Sequence, residues 1–150
     1  EFDDKLKEKC LEMIVSLPPE PVYIEADPRR IWRVVENLFS NVCKYALEGT
    51  RVYLEIRRVR QDDREIAVFT MKNISAQALN IRAEELTERF IRGDISRSTE
   101  GSGLGLSIAQ NLTTLQKGTF EIYLDGDLFK VQIGFSCLDV PQPEIEIQMR

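Results

Sequence analysis

The chain has 150 residues, of which 43% are hydrophobic and 30% are charged, with a net charge of −5 and no histidine. This length predicts a single domain with one core, and no stretch approaches the ~20 apolar residues that span a bilayer. The acidic balance, without a basic patch, argues against a nucleic-acid partner. The absence of histidine excludes histidine-ligated metals and a histidine general base within this chain.

Three cysteines, Cys10, Cys43 and Cys137, are odd in number and far apart, without a CxxC pair. This spacing is typical of reduced thiols in a cytosolic protein, and we expect all three to be buried and unreactive. The opening EFDDKLKEKC has no apolar signal region. We interpret residues 1–9 as a leader or as the end of a preceding helical segment.

The first half of the chain begins with strand patterns and continues into a long helix. CLEMIVSL at 10–17 predicts a strand, and VYIEA at 22–26 predicts a second, shorter one. Asp27-Pro28 combines an N-cap with a proline in the first turn, which predicts a helix over 28–46. Apolar positions at helical spacing form its expected core stripe: Ile31, Val34, Val35, Leu38 and Val42.

Alternating residues 51–59 and 65–73, separated by a polar turn, predict a β-hairpin. We expect a loop over 73–80, a short helix over 81–91, and a mobile Gly/Ser-rich segment over 93–103.

A second long helix is predicted over 104–116, with Gly118 as its C-cap, followed by a hairpin around Asp125-Gly126. Its expected buried side consists of Leu104, Ile108, Leu112 and Leu115. Residues 141–150 form an acidic tail that we interpret as an edge extension or disorder. This order predicts an α/β fold, a two-layer sandwich of one mixed sheet with helices on one face, spanning 10–140.

Three segments combine residues that can carry chemistry. The first, ENLFSNVCKYA at 36–46, places Asn37, Asn41, Lys44 and Tyr45 on one polar stripe beside the apolar face. Such a stripe can meet a metal, phosphates and a flat base, although a solvated helix flank is the simpler alternative. On a helix, the Glu36 side chain points about 100° away from that of its neighbour Asn37, so we expect Glu36 in solvent.

The second segment, EGSGLGLSIAQ at 100–110, has three glycines at alternate positions before a helix. They allow backbone N–H groups to approach an anion at the helix N-terminus, or they serve only a turn. The third, ERFIRGD at 88–94, supplies Arg89 and Arg92, with Arg97 nearby. Arginines of this kind bind phosphoryl groups, and the alternative is solvated charge.

Together the three segments resemble the N box, the F box and the second glycine box of bacterial sensor histidine kinases. The resemblance covers about residues 10–137 and extends, as an architecture, to the superfamily of gyrase, the heat-shock chaperones and the mismatch-repair ATPases. It implies the Bergerat version of the α/β sandwich. It also implies an ATP-binding catalytic domain that uses Mg²⁺.

By resemblance, Asn41 is the ligand for Mg²⁺ and Asn37 helps shape that site. Lys44 approaches phosphate oxygens, and Tyr45 packs along the adenine or ribose. The resemblance also implies that Arg92 reaches the γ-phosphate, and that Phe90 holds in place a lid formed by residues 93–103. The nucleotide-binding turn would comprise Gly101, Ser102, Gly103, Leu104, Gly105 and Leu106.

The reaction implied by the resemblance is transfer of the γ-phosphoryl group to a histidine on a separate dimerisation domain, with a response regulator as the further partner. Asn37 stands where the superfamily's ATPases carry a glutamate, which favours a kinase over an ATP hydrolase. The family's location would be cytoplasmic, as part of a membrane-bound receptor, with no membrane contact by this domain itself.

The first glycine box, normally DxGxG, departs from the family pattern. Asn73 replaces the adenine-reading aspartate, and Ser75 and Gln77 replace the two glycines. Asn73 either takes over base recognition or merely ends the preceding strand. A degenerate nucleotide-sensing module and a gyrase-type ATPase therefore remain as alternative interpretations.

Overall fold

A computed structural model describes residues 2–77 and 104–138 of the chain, which form a two-layer α/β structure. The helices are α1 (Asp3–Glu8), α2 (Pro28–Tyr45) and α3 (Leu104–Leu115). The strands are β1 (Glu12–Ser16), β2 (Arg51–Gln61), β3 (Arg64–Ile74), β4 (Thr119–Asp125) and β5 (Leu128–Ser136). They form one mixed sheet in the order β1-β2-β3-β5-β4, in which β1 is parallel to β2 and the other pairs are antiparallel. The predicted fold class is confirmed.

The core lies between the sheet and the helices on one of its faces. Val34, Leu38 and Val42 of α2 are each 2% exposed, which confirms the centre of the predicted apolar stripe. Burial of each such side chain stabilises the fold by about 1.5–3 kcal/mol. The helices pack on strand residues that alternate toward them: Val52, Met71, Phe129, Val131, Ile133 and Phe135. Leu6 of α1 belongs to the same cluster.

The start of α2 follows from Asp27-Pro28. The Asp27 carboxylate accepts a hydrogen bond from the backbone N–H of Arg29 at 2.9 Å, which caps the helix, and Pro28 occupies the first turn. The backbone N–H of Asp27 also donates to Oε1 of Gln116 at 2.7 Å. This bond ties the beginning of α2 to the chain just after α3.

Both predicted hairpins are present, with two-residue turns. Asp62 and Asp63, which join β2 to β3, have φ angles of 51° and 62°, as a type I′ turn requires. Gly126, with φ of 62°, takes the first central position between β4 and β5. Strand β3 continues to Ile74, so Asn73 lies inside the strand, and the predicted loop begins later than expected.

Three expectations about individual elements were wrong. Residues 22–26 form no strand; Ile24 makes a single bridge with Cys137, and the Tyr23 carbonyl accepts from the Leu138 N–H at 2.7 Å. The buried side of α3 includes Leu106, Ala109 and Thr113, whereas Leu115 is 63% exposed. Thr113 can be buried because its hydroxyl donates to the Ala109 carbonyl at 2.8 Å.

The third correction concerns the end of α3. The residue with positive φ is Lys117, at 68°, and Gly118 follows it. The Lys117 and Gly118 N–H groups donate to the carbonyls of Thr114 and Thr113, which is the Schellman pattern. A Cβ at position 118 would lie 2.7 Å from the Phe135 ring, so this glycine is needed for space and not for its φ angle.

The thiols also differ from expectation, because Cys10 is exposed. Cys43 and Cys137 are partly buried. Burial raises the pKa of the Cys43 thiol, opposed by the nearby charges of Lys5 and Lys9. Burial likewise raises the pKa of the Cys137 thiol, with Arg58 opposing. Both shifts disfavour the reactive thiolate.

Candidate nucleotide-binding site

The second half of α2, the end of β3 and the start of α3 meet at one place on the helix-covered face of the sheet. Gly105, in the first turn of α3, lies against Asn37 of α2: a Cβ built on Gly105 would be 3.9 Å from the Asn37 side-chain oxygen. Leu106 beside it is 1% exposed and packs into the core. The fold therefore brings two of the candidate segments together although they are far apart in the sequence.

Asn73 approaches the same place from the sheet. It is 3% exposed, and the alternation along β3 puts its side chain on the helix-facing side with Met71. Asn41 of α2 and Asn73 line one narrow gap between the helix and the sheet, which is too small to admit a water molecule. A ligand group can reach Asn73 only if this gap widens.

Three polar groups at this junction are buried without a hydrogen-bond partner in the part of the chain that the structure describes. They are Nδ2 of Asn37, the hydroxyl of Tyr45 and Oδ1 of Asn73. A buried polar group left unpaired destabilises a fold by about 1–3 kcal/mol. Native proteins retain few such groups, and a ligand that pairs with them is one reason for keeping them.

Backbone hydrogen bonds fix the loop after β3 to both of its neighbours. The Ala76 N–H donates to the Tyr45 carbonyl at 2.8 Å, and the Ser75 N–H donates to the Asp127 carbonyl at 2.7 Å. The Ser75 hydroxyl accepts from the Gln77 N–H at 3.2 Å, which closes a local turn. Ser75 is not among the residues with positive φ, so serine replaces the family's glycine here without backbone strain.

The remaining candidates are less closely grouped. Lys44 is exposed in the last turn of α2, where its carbonyl oxygen accepts from Nζ of Lys9 at 3.0 Å. Glu36 is partly buried, although we expected it in solvent. The segment 93–103 lies outside the described residues, as does the side chain of Leu104. So do five further site candidates: Phe90, Arg92, Gly101, Ser102 and Gly103.

Gln110 was missed by the sequence analysis. It lies one turn after Leu106 on α3, and its side-chain oxygen is buried without a partner among the described residues. Its place within the glycine-rich segment at 100–110 was the available signal. A second such atom, the Thr70 hydroxyl, lies on the opposite face of the sheet and does not belong to this site.

The residues present suit a magnesium–phosphate ligand better than a protein-only metal site. Within residues 2–77 and 104–138 no group of three or more His, Cys, Asp or Glu side chains could hold a metal. Mg²⁺ commonly takes one or two oxygen ligands from the protein, and substrate phosphates and water supply the rest. The amide oxygen of Asn41 fits the protein's share, beside the unpaired amide of Asn37.

Comparison with known proteins identifies the class to which this fold and site belong. The family described as "Histidine kinase-, DNA gyrase B-, and HSP90-like ATPase" matches residues 26–137. The structure of full-length ShkA in complex with AMPPNP superposes with a TM-score of 0.72 at 21% identity, over 95% of this chain and 29% of that one. The nucleotide-free catalytic domain of histidine kinase ThkA gives 0.69 at 20% identity, over 90% and 84% of the two chains.

Sequence relatives are more specific. Sensor histidine kinase WalK of Bacillus subtilis is 32% identical over 114 residues, which are 75% of this chain and 18% of WalK. RppB of Synechocystis is 30% identical over 141 residues, or 85% of this chain and 30% of RppB. The chain belongs to the histidine kinase-, DNA gyrase B- and HSP90-like ATPase family, and these relatives within it are sensor histidine kinases. It spans less than a third of either relative. None of the helices described here is long and apolar enough to cross a membrane.

Proposed function

We propose that this domain binds Mg²⁺-ATP and transfers its γ-phosphoryl group to a histidine on a separate dimerisation domain of the same kinase. The observation that carries the proposal is the junction of α2, β3 and α3, where Asn37, Tyr45 and Asn73 each have a buried polar atom without a partner among residues 2–77 and 104–138. A ligand with an aromatic base and phosphates supplies partners for such groups. The family of the chain and its sensor-kinase relatives agree with that ligand.

Each candidate residue is assigned to one part of the bound nucleotide. The N–H groups at the start of α3 favour phosphate oxygens because of the partial positive charge at a helix N-terminus. Asn41 would hold Mg²⁺, which when bound neutralises charge on the phosphates. Lys44 extends from the exposed end of α2 toward the phosphate region, and Asn37 stabilises the metal site. Asn73 and Tyr45 contact the base and ribose.

Positioning of ATP against the acceptor histidine should supply most of the rate of transfer, because phosphoryl transfer requires little covalent chemistry from the protein. The acceptor imidazole forms the N–P bond as the bond from the γ-phosphorus to ADP breaks, and ADP leaves with the electron pair. No water-activating base is needed, in agreement with an asparagine at position 37. Because the chain contains no histidine, the acceptor must lie elsewhere. The expected setting is the cytoplasmic part of a sensor kinase that passes phosphate to a response regulator.

The test combines this chain with the separately produced histidine-bearing domain and γ-labelled ATP. We expect acid-labile label on the histidine domain and none on this chain. Asn41→Ala should reduce transfer by at least the roughly 10–100-fold that loss of an outer-shell metal partner causes. Arg33→Ala, at an exposed position of the same helix, is the matched control and should leave transfer unchanged. Acid-labile label on this chain, or equal losses in both variants, would contradict the proposal.

The altered first glycine box supports one alternative, a nucleotide-sensing module without kinase activity. In that case calorimetry would show binding of Mg²⁺-ATP while no label reaches the histidine domain. Steady release of inorganic phosphate without the histidine domain would instead indicate a gyrase-type ATPase.

A further inference from the structure

An apolar groove of about 260 Å³ lies between the first half of α2 and the sheet, toward the end of β3 that is remote from Asn73. Every residue that lines it is apolar, among them Ile31, Val35, Ile56 and Phe69. Its volume exceeds that of the roughly 150 Å³ apolar cavity known to bind one benzene-sized molecule. The groove therefore has room for aliphatic side chains that the described residues do not supply.

A second groove, of about 390 Å³, adjoins the first and shares Val22 and Ile56 with it. Its lining combines apolar residues such as Leu17 with Arg57, Arg58 and one acid, Glu20. Arg57 already pairs with the Glu55 carboxylate at 3.1 Å. Leu17 is 63% exposed, so its side chain is accessible to a binding segment. The pair of grooves thus presents apolar surface followed by an excess of one positive charge in the lining of the second groove.

The chain passes directly beside both grooves where the described residues end. Cys137 pairs antiparallel with Ile24, and the Leu138 N–H donates to the Tyr23 carbonyl at 2.7 Å. In an antiparallel pair the next residues of one strand run past the preceding residues of the other. The backbone of Leu138 therefore runs toward Val22, which lines the groove that contains Arg57 and Arg58.

The sequence beyond that point has the pattern that such grooves need. Residues 139–150 read DVPQPEIEIQMR, in which Glu144, Ile145, Glu146 and Ile147 alternate. In an extended chain the two isoleucines and Met149 lie on one side and the glutamates on the other. The seven residues that follow Leu138, up to Ile145, can span up to ~23 Å, enough to reach either groove.

We propose that residues 139–150 bind back onto their own domain as an extended segment, with Ile145 and Ile147 in the apolar groove and the glutamates on the outer side, near the exposed Arg58. The occupant is a segment of this chain because the last described residue, Leu138, is hydrogen-bonded to Tyr23, the neighbour of Val22 in the grooves, and because the glutamates complement the arginine excess there. Pro141 and Pro143 lack an N–H, so side-chain burial and charge hold the segment in place more than a continuous hydrogen-bond ladder does. This proposal is independent of nucleotide binding.

The test compares Ile147→Asp with Gln148→Asp in the intact chain. Both variants add one negative charge, but only position 147 lies on the apolar side of the extended segment. We expect Ile147→Asp to speed hydrogen exchange of the backbone at 22–24 and 56–59 by about tenfold and to lower Tm by about 4 °C. Gln148→Asp should change neither quantity. Equal effects, or no effect of Ile147→Asp on a chain that remains folded, would overturn the proposal.

A photo-crosslinking residue at position 147 identifies the occupant directly. Crosslinks within one chain to 22–24, 31–35 or 56–59 are expected, and mass spectrometry locates them. Crosslinked dimers would show that a second copy fills the grooves, and overturn the proposal. The proposal would also be overturned if the histidine-bearing domain slowed hydrogen exchange at these residues equally in the parent chain and in Ile147→Asp.

Discussion

Single residues at the junction of α2, β3 and α3 keep buried polar atoms that have no hydrogen-bond partner among the described residues. Two of these atoms, Nδ2 of Asn37 and Oδ1 of Asn73, lie in a domain whose neighbouring side chains are apolar and closely packed. Their sequence positions could be predicted from motif spacing. That Asn73 is almost completely buried could not, because its burial depends on α2 lying across β3.

Replacing Asn73 by aspartate should strengthen ATP binding and weaken the unliganded fold. A carboxylate accepts a stronger hydrogen bond from the adenine amino group, by about 1 kcal/mol, or roughly fivefold in Kd. At 3% exposure the same charge is poorly solvated when no ligand is bound. Titration calorimetry with ATP and GTP and a thermal melt measure the two effects.

GTP affinity should stay weak in Asn73→Asp, because guanine presents an oxygen where adenine presents its amino group. Asn73→Ala, which removes both hydrogen-bonding atoms, is the control. If all three proteins bind ATP equally, Asn73 has no contact with the base.

Gly105→Ala should make the domain more stable and less able to bind ATP. The added methyl group would be 3.9 Å from Asn37, an ordinary contact, and alanine stabilises a helix by about 0.5–1 kcal/mol over glycine. The same methyl group occupies the space in front of the Asn37 amide where phosphates are proposed to bind. We expect a higher Tm with at least a tenfold loss of ATP affinity.

Asn111→Ala, exposed on the same helix, serves as the control for Gly105→Ala and should leave ATP affinity unchanged. If Gly105→Ala binds ATP as tightly as the parent, Gly105 is not part of the nucleotide site.

Among the secondary-structure elements, those with strong local signals were predicted best. Helix α2 begins where Asp27-Pro28 predicts it, and both hairpins have their turns at the expected residues. Helix α3 exists as predicted, but its leucine pattern indicated a different buried side. The choice among its apolar faces is made by contact with α2 and the sheet, which local sequence does not encode.

The end of α3 offers a paired test at adjacent positions. Lys117→Gly should raise stability by about 0.5–1 kcal/mol, because the left-handed conformation is unfavourable for lysine and easy for glycine. Gly118→Ala should lower stability by about 1–3 kcal/mol, because the new Cβ would collide with the buried ring of Phe135. Denaturant unfolding measures both. If Gly118→Ala is neutral, the glycine is not required for space.

At the scale of the whole molecule, binding that is confined to the folded state must raise Tm. Mg²⁺-ATP at about 100 times Kd should add ~2.7 kcal/mol, which for a chain of this size is about 5–10 °C. Removing Mg²⁺ with EDTA should abolish most of this gain. Without ligand, Asn41→Ala should have the same Tm as the parent. With Mg²⁺-ATP, its Tm should rise only slightly.

An equal ATP-induced rise with and without Mg²⁺ would contradict the role of Asn41 as a metal ligand. Circular dichroism is the suitable probe, because it follows both layers of the domain and not only the surroundings of the single tryptophan, which is 54% exposed.

Apart from the strand expected over 22–26 and the cap at the end of α3, the sequence by itself determined the order of the described helices and strands, their turns, and the residue types available for phosphate chemistry. These depend on interactions within a few residues: the capping carboxylate of Asp27, the turn at Gly126, the alternation of β2. The tertiary structure decided which distant segments meet, because strand order and helix packing are set by burial summed over the whole chain. Only that summed burial places Gly105 against Asn37, closes the space around Gly118, and buries Asn73 beneath α2.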